Sequence, residues 1–247
     1  MFCKGFFVSE PFIVRVTTLP EEIMKAQRLR YTVYYKELMN ASPEGIDVDA
    51  FDEVCDHLVV EEVVSKRIVG TYRLISRETA QRCGAFYSQS EFNIQKLLNS
   101  KHNILELGRA CVDRAYRSQG IIRLLWKGLA DYIHRHNIRY LFGCGSFSGT
   151  IPEKYHHGFS YLHYAYMAPE YIRPEVLPAN AALLEILAPE KIDITRAWNE
   201  IPALLRGYLQ VGGWIGQGVF QDFGFSSLDV CVVVDTQRLV LGAYGAR

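Results

Sequence analysis

The sequence predicts an α/β fold of the α+β kind, in which one central mixed sheet is flanked by helices. An apolar strand pattern at 104–112 is followed by an amphipathic helix pattern at 120–136 and a second strand pattern at 139–144. A strand–helix–strand unit of this kind predicts two parallel strands. Two further strand patterns, at 57–64 and 68–75, are joined by a short turn and predict a meander. The two kinds of connection together make the predicted sheet mixed.

Further elements extend the fold on both sides of this unit. A strand pattern at 12–16 leads into a helix that begins near Pro20, where Thr18 and Glu21 have capping-box spacing, and runs to about Lys36. An acidic loop follows. The other segments, in chain order, are that loop at 38–54, a short helix at 94–98, a helix at 201–209 and a final strand at 228–234.

Size and composition indicate one globular domain whose basic and acidic residues are equal in number. The 247 residues are 49% hydrophobic and 22% charged, which is ordinary for a globular protein. We expect a single domain over 1–247, with 150–247 as its extended C-terminal half. Because 27 Lys and Arg balance 27 Asp and Glu, composition does not favour a nucleic-acid partner.

The cysteines and the apolar runs indicate the cellular compartment of the protein. The six cysteines are widely spaced without a CxxC pair, and the first residues lack a signal-peptide pattern. We therefore expect reduced thiols and a cytoplasmic protein. No apolar run approaches the roughly 18 residues of a transmembrane helix, so any membrane association would be a peripheral contact. The histidines lack zinc-ligand spacing, and we expect no metal site.

Residues 104–122 carry the clearest chemical signal. Glu106 and Arg109 interrupt the apolar strand, and buried charges must be paired or used. Ser118-Gln119-Gly120 opens the following helix, whose free N–H groups and dipole favour an anion. The alternative interpretation is a buried strand followed by a surface helix with a solvated basic face. The basic residues near this end are Arg114, Arg117, Arg123 and Lys127.

The order of these elements resembles the GNAT acyltransferase superfamily. The family's pyrophosphate signature, Arg/Gln-x-x-Gly-x-Gly/Ala, is matched at Arg117 and Gly120 but has Ile122 where a small residue is usual. A narrower resemblance accounts for that departure. The blocks Arg30-Tyr31-Thr32-Val33-Tyr34, Asp47-Val48-Asp49-Ala50-Phe51-Asp52, Gly70-Thr71-Tyr72-Arg73-Leu74 and Glu106-Leu107-Gly108-Arg109 look like the branch that takes acyl chains from acyl carrier protein.

That branch contains N-acyl-homoserine lactone synthases and the ornithine N-acyltransferases that make lyso-ornithine lipid. The chain is more similar to the ornithine enzymes. The blocks that resemble them most are Cys55-Asp56-His57-Leu58-Val59-Val60, Glu106-Leu107-Gly108-Arg109, Leu125-Trp126-Lys127-Gly128 and Tyr140-Leu141-Phe142-Gly143-Cys144-Gly145-Ser146-Phe147, together with Leu205-Arg206-Gly207-Tyr208-Leu209 and Gly212-Gly213.

The resemblance implies transfer of a fatty, usually 3-hydroxylated, acyl group from the phosphopantetheine thioester of acyl carrier protein to the α-amino group of L-ornithine. This would be the first step of ornithine lipid biosynthesis, with no tightly bound cofactor. An α-amino group of pKa about 8 is only about one-tenth neutral at pH 7, so the reaction needs a base. We expect Glu106 to be that base, directly or through water, with Arg109 orienting it. The alternative is a structural salt bridge from Glu106 to Arg109 or Arg73.

The acidic loop is predicted to bind the acyl acceptor, L-ornithine. The side-chain ammonium of a dibasic amino acid needs a carboxylate partner, and Asp47, Asp49 and Asp52 are the candidates. The alternative is a solvated acidic loop, and the loop lacks the glycine and distal glutamate of an EF-hand. The candidates for the ornithine carboxylate, or for fixing the loop, are Arg30, Arg73 and Arg109.

A third group of residues is predicted to meet the acyl donor. Its basic members would contact the acidic carrier protein and its phosphodiester. Ser146 would touch the pantetheine arm, with loop capping as its alternative role. Backbone N–H groups near Gly108 to Cys111 would stabilise the oxyanion. The donor-binding candidates are Arg114, Arg117, Gln119, Gly120, Arg123 and Ser146.

Three other functions remain open on the sequence. An N-acyl-homoserine lactone synthase would use S-adenosylmethionine and release a lactone. A GNAT acetyltransferase would use acetyl coenzyme A, which a comparison of coenzyme A with acyl carrier protein would reveal. A non-catalytic module that binds a lipid or a carrier protein would tolerate replacement of Glu106.

Overall fold

The structure is a computed structural model that describes residues 6–37 and 45–239. Residues 38–44 of the predicted acidic loop lie outside the described residues. In chain order the elements are β1 (Phe6–Ser9), β2 (Phe12–Thr17), α1 (Pro20–Tyr31), β3 (Asp56–Glu62), β4 (Ile68–Ser76), α2 (Arg77–Cys83), β5 (Phe92–Asn93), α3 (Gln95–Leu98), β6 (Asn103–Val112), α4 (Ile121–His136), β7 (Ile138–Ser148), α5 (His156–Ala165), β8 (Glu175–Val176), α6 (Ile194–Glu200), α7 (Ala203–Gln210), β9 (Trp214–Ile215), β10 (Phe220–Asp222) and β11 (Ser227–Asp235).

The chain divides into two compact units. The first comprises Met1–Ala85 and Leu107–Asn137, and the second comprises Phe86–Glu106 and Ile138–Arg247. Strand β6 therefore contributes its first four residues to the second unit and the rest to the first.

In the first unit, β1, β2, β3 and β4 are successive antiparallel neighbours, and β6 follows β4 in the strand order. Helix α4 buries Ile121, Leu125 and Leu129, one apolar residue every four positions. A Cβ atom added at Gly128 would lie 2.7 Å from a Val14 methyl and 2.8 Å from a Leu58 methyl. The glycine therefore lets α4 lie directly on β2 and β3.

In the second unit, β7 is parallel to β6, with a register that runs from Asn103 opposite Ile138 to Glu106 opposite Phe142. This confirms the predicted parallel pair. Strand β7 continues to Ser148 and is antiparallel to β11 along its length. Strands β9 and β10 are also antiparallel to β11. All nine residues of β11 are buried, as expected for a strand covered on both faces.

Parallel and antiparallel pairs coexist, so the predicted mixed sheet with flanking helices is confirmed. The local predictions differ from the structure at element ends. The helix predicted to reach Lys36 is α-helical only to Tyr31 and ends in a π-helical turn, Thr32–Glu37. The polar turn before α4 is a 3-10 helix, Arg114–Gln119, which the Asp113 side chain caps by accepting from the Ala115 N–H.

The described residues include no helix that combines the length and the apolar character needed to cross a bilayer.

Candidate active site

A ring of alternating arginines and aspartates lies in the first unit. Its first arginine, Arg30, is completely buried. Arg30 donates from Nε to Asp47 at 2.6 Å and from Nη1 and Nη2 to Asp52 at 2.6 and 2.7 Å. The second Nη2 contact, to the backbone carbonyl of Asp47, is also 2.6 Å long. One side chain thus ties both ends of the Asp47–Asp52 segment to α1.

Two further arginines complete the ring. Arg73 on β4 lies 2.5 Å from Asp49 and 3.4 Å from Asp52. Arg109 on β6 lies 3.4 Å from Asp47 and 3.3 Å from Asp49. Each aspartate therefore pairs with two arginines, and three positive charges balance three negative ones.

The ring keeps the carboxylates of Asp49 and Asp52 ionised. Burial alone would raise the pKa of Asp52, but the hydrogen bond and charge of Arg30 hold it well below the usual value. Asp49 is also subject to burial, yet the hydrogen bond from Arg73 lowers its pKa. The carboxylates predicted to hold a substrate ammonium thus already have guanidinium partners.

Arg109 has an unusual backbone conformation. Its φ angle is +50°, in the left-handed region that non-glycine residues seldom adopt. Such a residue costs on the order of 1–3 kcal/mol and is found where a strand is irregular. The next carbonyl, that of Ala110, accepts a hydrogen bond from the Tyr34 hydroxyl at 2.7 Å. The irregularity begins three residues after Glu106 on the same strand.

Glu106 is buried in the second unit, with 1% of its surface exposed, and a short 3-10 turn holds it. The backbone N–H groups of Tyr87 and Ser88 donate to its two oxygens, Oε2 and Oε1, each at 2.7 Å. The Ser88 hydroxyl donates to Oε1 as well. The Cys144 thiol lies 3.4 Å from the Ser88 hydroxyl oxygen. Glu106 is thus the inner end of a hydrogen-bonded chain that passes through Ser88.

Three other carboxylates converge in the second unit: Glu91, Asp222 and Asp229. We call them the carboxylate trio. Oxygens from all three lie within 4.8 Å of one another. Glu91 and Asp229 are each only 3% exposed, and each has one buried oxygen, Oε2 and Oδ1, without a hydrogen-bond partner.

Two members of the trio, Glu91 and Asp229, have raised pKa values. Burial and repulsion from Asp229 raise the pKa of Glu91 to about 8. Burial also raises the pKa of Asp229 to about 6, although the hydroxyls of Ser146 and Ser227 lower it in part. A nearby positive charge would lower both pKa values, because it favours the ionised form of a carboxyl group.

The predicted donor-binding residues occupy an exposed turn of the first unit, except for Ser146. Gly120 has φ +73° and marks the start of α4. Arg117 is held by Glu37 at 2.8 Å and by the Val112 carbonyl at 3.2 Å. Ser146 lies on β7 in the second unit, where it faces Asp229 across the ladder. The exposed members of the turn are Arg114, Arg117, Gln119 and Arg123.

Comparisons with known proteins place this chain in a family. Residues 29–127 match the family model described as an acetyltransferase (GNAT) domain. The L-ornithine N(alpha)-acyltransferase of Brucella abortus is 36% identical over 95% of this chain and 89% of its own length. The enzyme of the same name from Rhizobium meliloti is 36% identical over 94% of this chain and 83% of its own length. The chain belongs to the L-ornithine N(alpha)-acyltransferase family. It is an acyltransferase, and the resemblance noted in the sequence is confirmed.

A solved structure agrees on the fold. FeeM, an N-acyl amino acid synthase from uncultured soil microbes, superposes with a TM-score of 0.53 at 11% identity. The match covers 94% of this chain and 99% of FeeM. At this identity the likeness shows the shared fold alone.

The sequence patterns of this family member did not identify Ser88 or the carboxylate trio as candidate functional residues. Asp229 was visible as the one acidic residue inside the apolar run 228–234, and a charge in a buried strand is a signal for pairing or function. Ser88 and Glu91 lie in a segment without periodicity, where no pattern indicates which side chains turn inward. Among the predicted residues, the structure brings together all members of the Arg–Asp ring.

Proposed function

We propose that this protein moves a 3-hydroxylated fatty acyl group from the phosphopantetheine thioester of acyl carrier protein to the α-amino group of L-ornithine. The observation that carries the proposal is the 36% identity to an L-ornithine N(alpha)-acyltransferase across nearly the whole of both chains. A buried carboxylate on the strand that carries the family-like block supports it.

In this proposal Glu106 accepts the proton of the attacking amine through Ser88. The Ser88 hydroxyl donates to Glu106, so its oxygen can take a proton from the amine while its own proton passes to the carboxylate. The neutral nitrogen then attacks the thioester carbon and the C–S bond breaks. The leaving pantetheine sulfur takes the second proton, which the nitrogen loses as the amide forms, and departs as a thiol. The relay explains how a carboxylate that backbone N–H groups already contact on both oxygens can still act as a base.

The Arg–Asp ring has a different task. Arg30 and Arg73 are buried and hold Asp47, Asp49 and Asp52, which makes them positioning residues of the loop. Arg109 has the most exposed side chain of the three arginines, at 14%. It lies on the same strand as Glu106, and we assign it to the carboxylate of the acceptor, because a guanidinium suits such a group. Backbone N–H groups between Gly108 and Cys111 would stabilise the oxyanion of the tetrahedral intermediate by hydrogen bonds.

The donor would meet the exposed turn before α4. Arg114, Arg117 and Arg123, with Gln119 and Gly120, offer positive charge and a helix start to an acidic carrier protein and its phosphodiester. Ser146 would contact the pantetheine arm.

A donor and acceptor panel tests the proposal. Purified protein is incubated with one of two acceptors, L-ornithine or S-adenosylmethionine, and one of three donors: 3-hydroxyacyl carrier protein, the same acyl group on coenzyme A, or acetyl coenzyme A. We expect acyl-ornithine, identified by mass, to form fastest from the carrier protein. Formation only from acetyl coenzyme A, or a lactone from S-adenosylmethionine, would contradict the proposal.

A further inference from the structure

The carboxylate trio is a close group of acidic side chains that no cationic side chain of the described residues balances. No Lys, Arg or His among residues 6–37 and 45–239 forms an ion pair with Glu91, Asp222 or Asp229. The second close group of acidic and metal-ligating side chains, around Asp52, differs because Arg30 and Arg73 pair with that carboxylate. Buried charges are ordinarily paired, so an unpaired set points to a cationic ligand.

The unpartnered oxygens indicate where this ligand would sit. Glu91 Oε2 and Asp229 Oδ1 are both inaccessible to water and lack a hydrogen-bond donor. Asp222 on β10 is only partly buried, and Ser146, opposite Asp229 in the ladder, is exposed. Asp222 is thus the least buried member of the trio, and a small cation would reach the two buried carboxylates past it.

The trio is also connected to the proposed base. The Cys144 thiol donates to the Ser88 hydroxyl at 3.4 Å, and the same thiol partly offsets the raised pKa of Glu91. Ser88 in turn donates to Glu106. The carboxylate trio and the proposed proton relay therefore both involve Cys144 within the second unit.

We propose that Glu91, Asp222 and Asp229 bind the side-chain ammonium of a dibasic amino-acid acceptor. The inference rests on the proposed function, which supplies an acceptor with two amines. It transfers this task from the acidic loop, whose carboxylates the arginines already neutralise, to the trio. An ammonium donates up to three hydrogen bonds, one for each carboxylate.

Binding there would also set which amine reacts. Three carboxylates stabilise the protonated form of the bound nitrogen, and a protonated amine has no lone pair for attack on a thioester. The side-chain nitrogen is thereby kept unreactive while the α-amino group loses its proton to the relay. Selection of a dibasic acceptor and acylation at the α position would follow from the same three residues.

A matched pair of acceptors tests the inference. L-Norvaline has the carbon skeleton of L-ornithine without the side-chain ammonium. With 3-hydroxyacyl carrier protein as donor, we expect wild-type kcat/KM to favour ornithine by about 100-fold. In Glu91→Gln and Asp229→Asn this preference should fall to less than about 10-fold, mainly through a higher KM for ornithine, while the rate with norvaline changes little.

Stability measurements separate recognition from a structural role. Removing one of several repelling carboxylates should leave Tm unchanged or raise it, whereas loss of a structural contact lowers it. Glu175→Gln is the control, because Glu175 is a half-exposed carboxylate of the same unit that pairs with Lys96 at 2.8 Å. It should keep the ornithine preference of the wild type.

Three other results would overturn the inference, and each shows whether the proposed function fails with it. If the wild type acylates ornithine but shows no preference over norvaline, or the variants retain that preference, the trio does not bind the ammonium and the proposed function stands. If the wild type acylates neither amine, both proposals fail. Activity that is lost in EDTA and restored by Mg²⁺ in the wild type but not in the variants would make the trio a metal site instead.

Discussion

Both carboxylate oxygens of Glu106 accept backbone N–H groups, so glutamine is not a neutral replacement there. Its amide nitrogen would face one of those donors, and an unsatisfied buried donor costs on the order of 1–3 kcal/mol. We expect Glu106→Gln to lower both turnover and the free energy of unfolding. Activity of this variant alone therefore does not distinguish catalysis from folding.

Replacement of Ser88 gives the sharper test of the relay. Ser88→Ala leaves the two backbone hydrogen bonds to Glu106 in place and removes the hydroxyl that would pass the proton. We expect kcat to fall by about 100-fold, with a loss of stability of only about 1 kcal/mol. The control is Ser90→Ala in the same turn, whose exposed hydroxyl bonds only to the Tyr87 carbonyl at 2.8 Å among the described contacts. A folded Ser88→Ala enzyme with wild-type kcat would refute the relay.

The raised pKa of Glu91, about 8 against an ordinary 4.5, makes stability depend on pH. Between those two values the folded state holds a proton that the unfolded state has lost, so the free energy of unfolding falls as the pH rises. Glutamine cannot ionise, so the variant does not lose stability at this position as the pH rises. We expect Glu91→Gln to raise Tm more at pH 8 than at pH 5, measured by calorimetry without substrate. An equal effect at both pH values would show that Glu91 keeps an ordinary pKa.

At the residue scale, the sequence indicated charged positions but not their partners. Glu106 and Arg109 stood out because each interrupts an apolar strand. The partners of these two residues could not be predicted. Glu106 accepts hydrogen bonds from the turn at Tyr87 and Ser88, and Arg109 pairs with Asp47 and Asp49. Those partners come from segments 19 and 60 residues away along the chain, a separation about which local patterns carry no information.

At the scale of elements, α4 shows how close packing depends on one position. Gly128 brings the helix against Val14 and Leu58, and an added Cβ atom would lie within 2.8 Å of both. We expect Gly128→Ala to destabilise the protein by about 1–3 kcal/mol, despite the higher helix propensity of alanine, because the strands below must shift. Ala130→Ser adds one atom at an exposed position of the same helix and is the control. Chemical denaturation of both variants gives the comparison.

Elements were predictable where periodicity is strong. Strands β2, β4, β6 and β11 and helix α4 were placed within one or two residues of their observed bounds, because buried strands and amphipathic helices have distinct apolar patterns. The segment from 77 to 103 was not resolved into α2 and the 3-10 turn that holds Glu106. Short turns are stabilised by their tertiary contacts, which a local pattern does not contain.

For the whole molecule, the balance of 27 basic and 27 acidic residues limits long-range attraction, so recognition of an acidic carrier protein must depend on a local patch. Arg114 and Arg123 are exposed, whereas Arg117 is partly neutralised by Glu37. We expect the double variant Arg114→Ala and Arg123→Ala to raise KM for acyl carrier protein several-fold and to weaken its salt dependence. Lys191→Ala, an exposed basic residue of the second unit, is the control. An unchanged KM and salt dependence would exclude the patch.

The site of acylation tests the central claim most directly. Wild-type protein is supplied with 3-hydroxyacyl carrier protein and L-ornithine, and tandem mass spectrometry determines which nitrogen of the product carries the acyl group. We predict acylation at the α-nitrogen with the side-chain amine free. An acyl group on the side-chain nitrogen, or no acyl-ornithine at all, would contradict the proposed function.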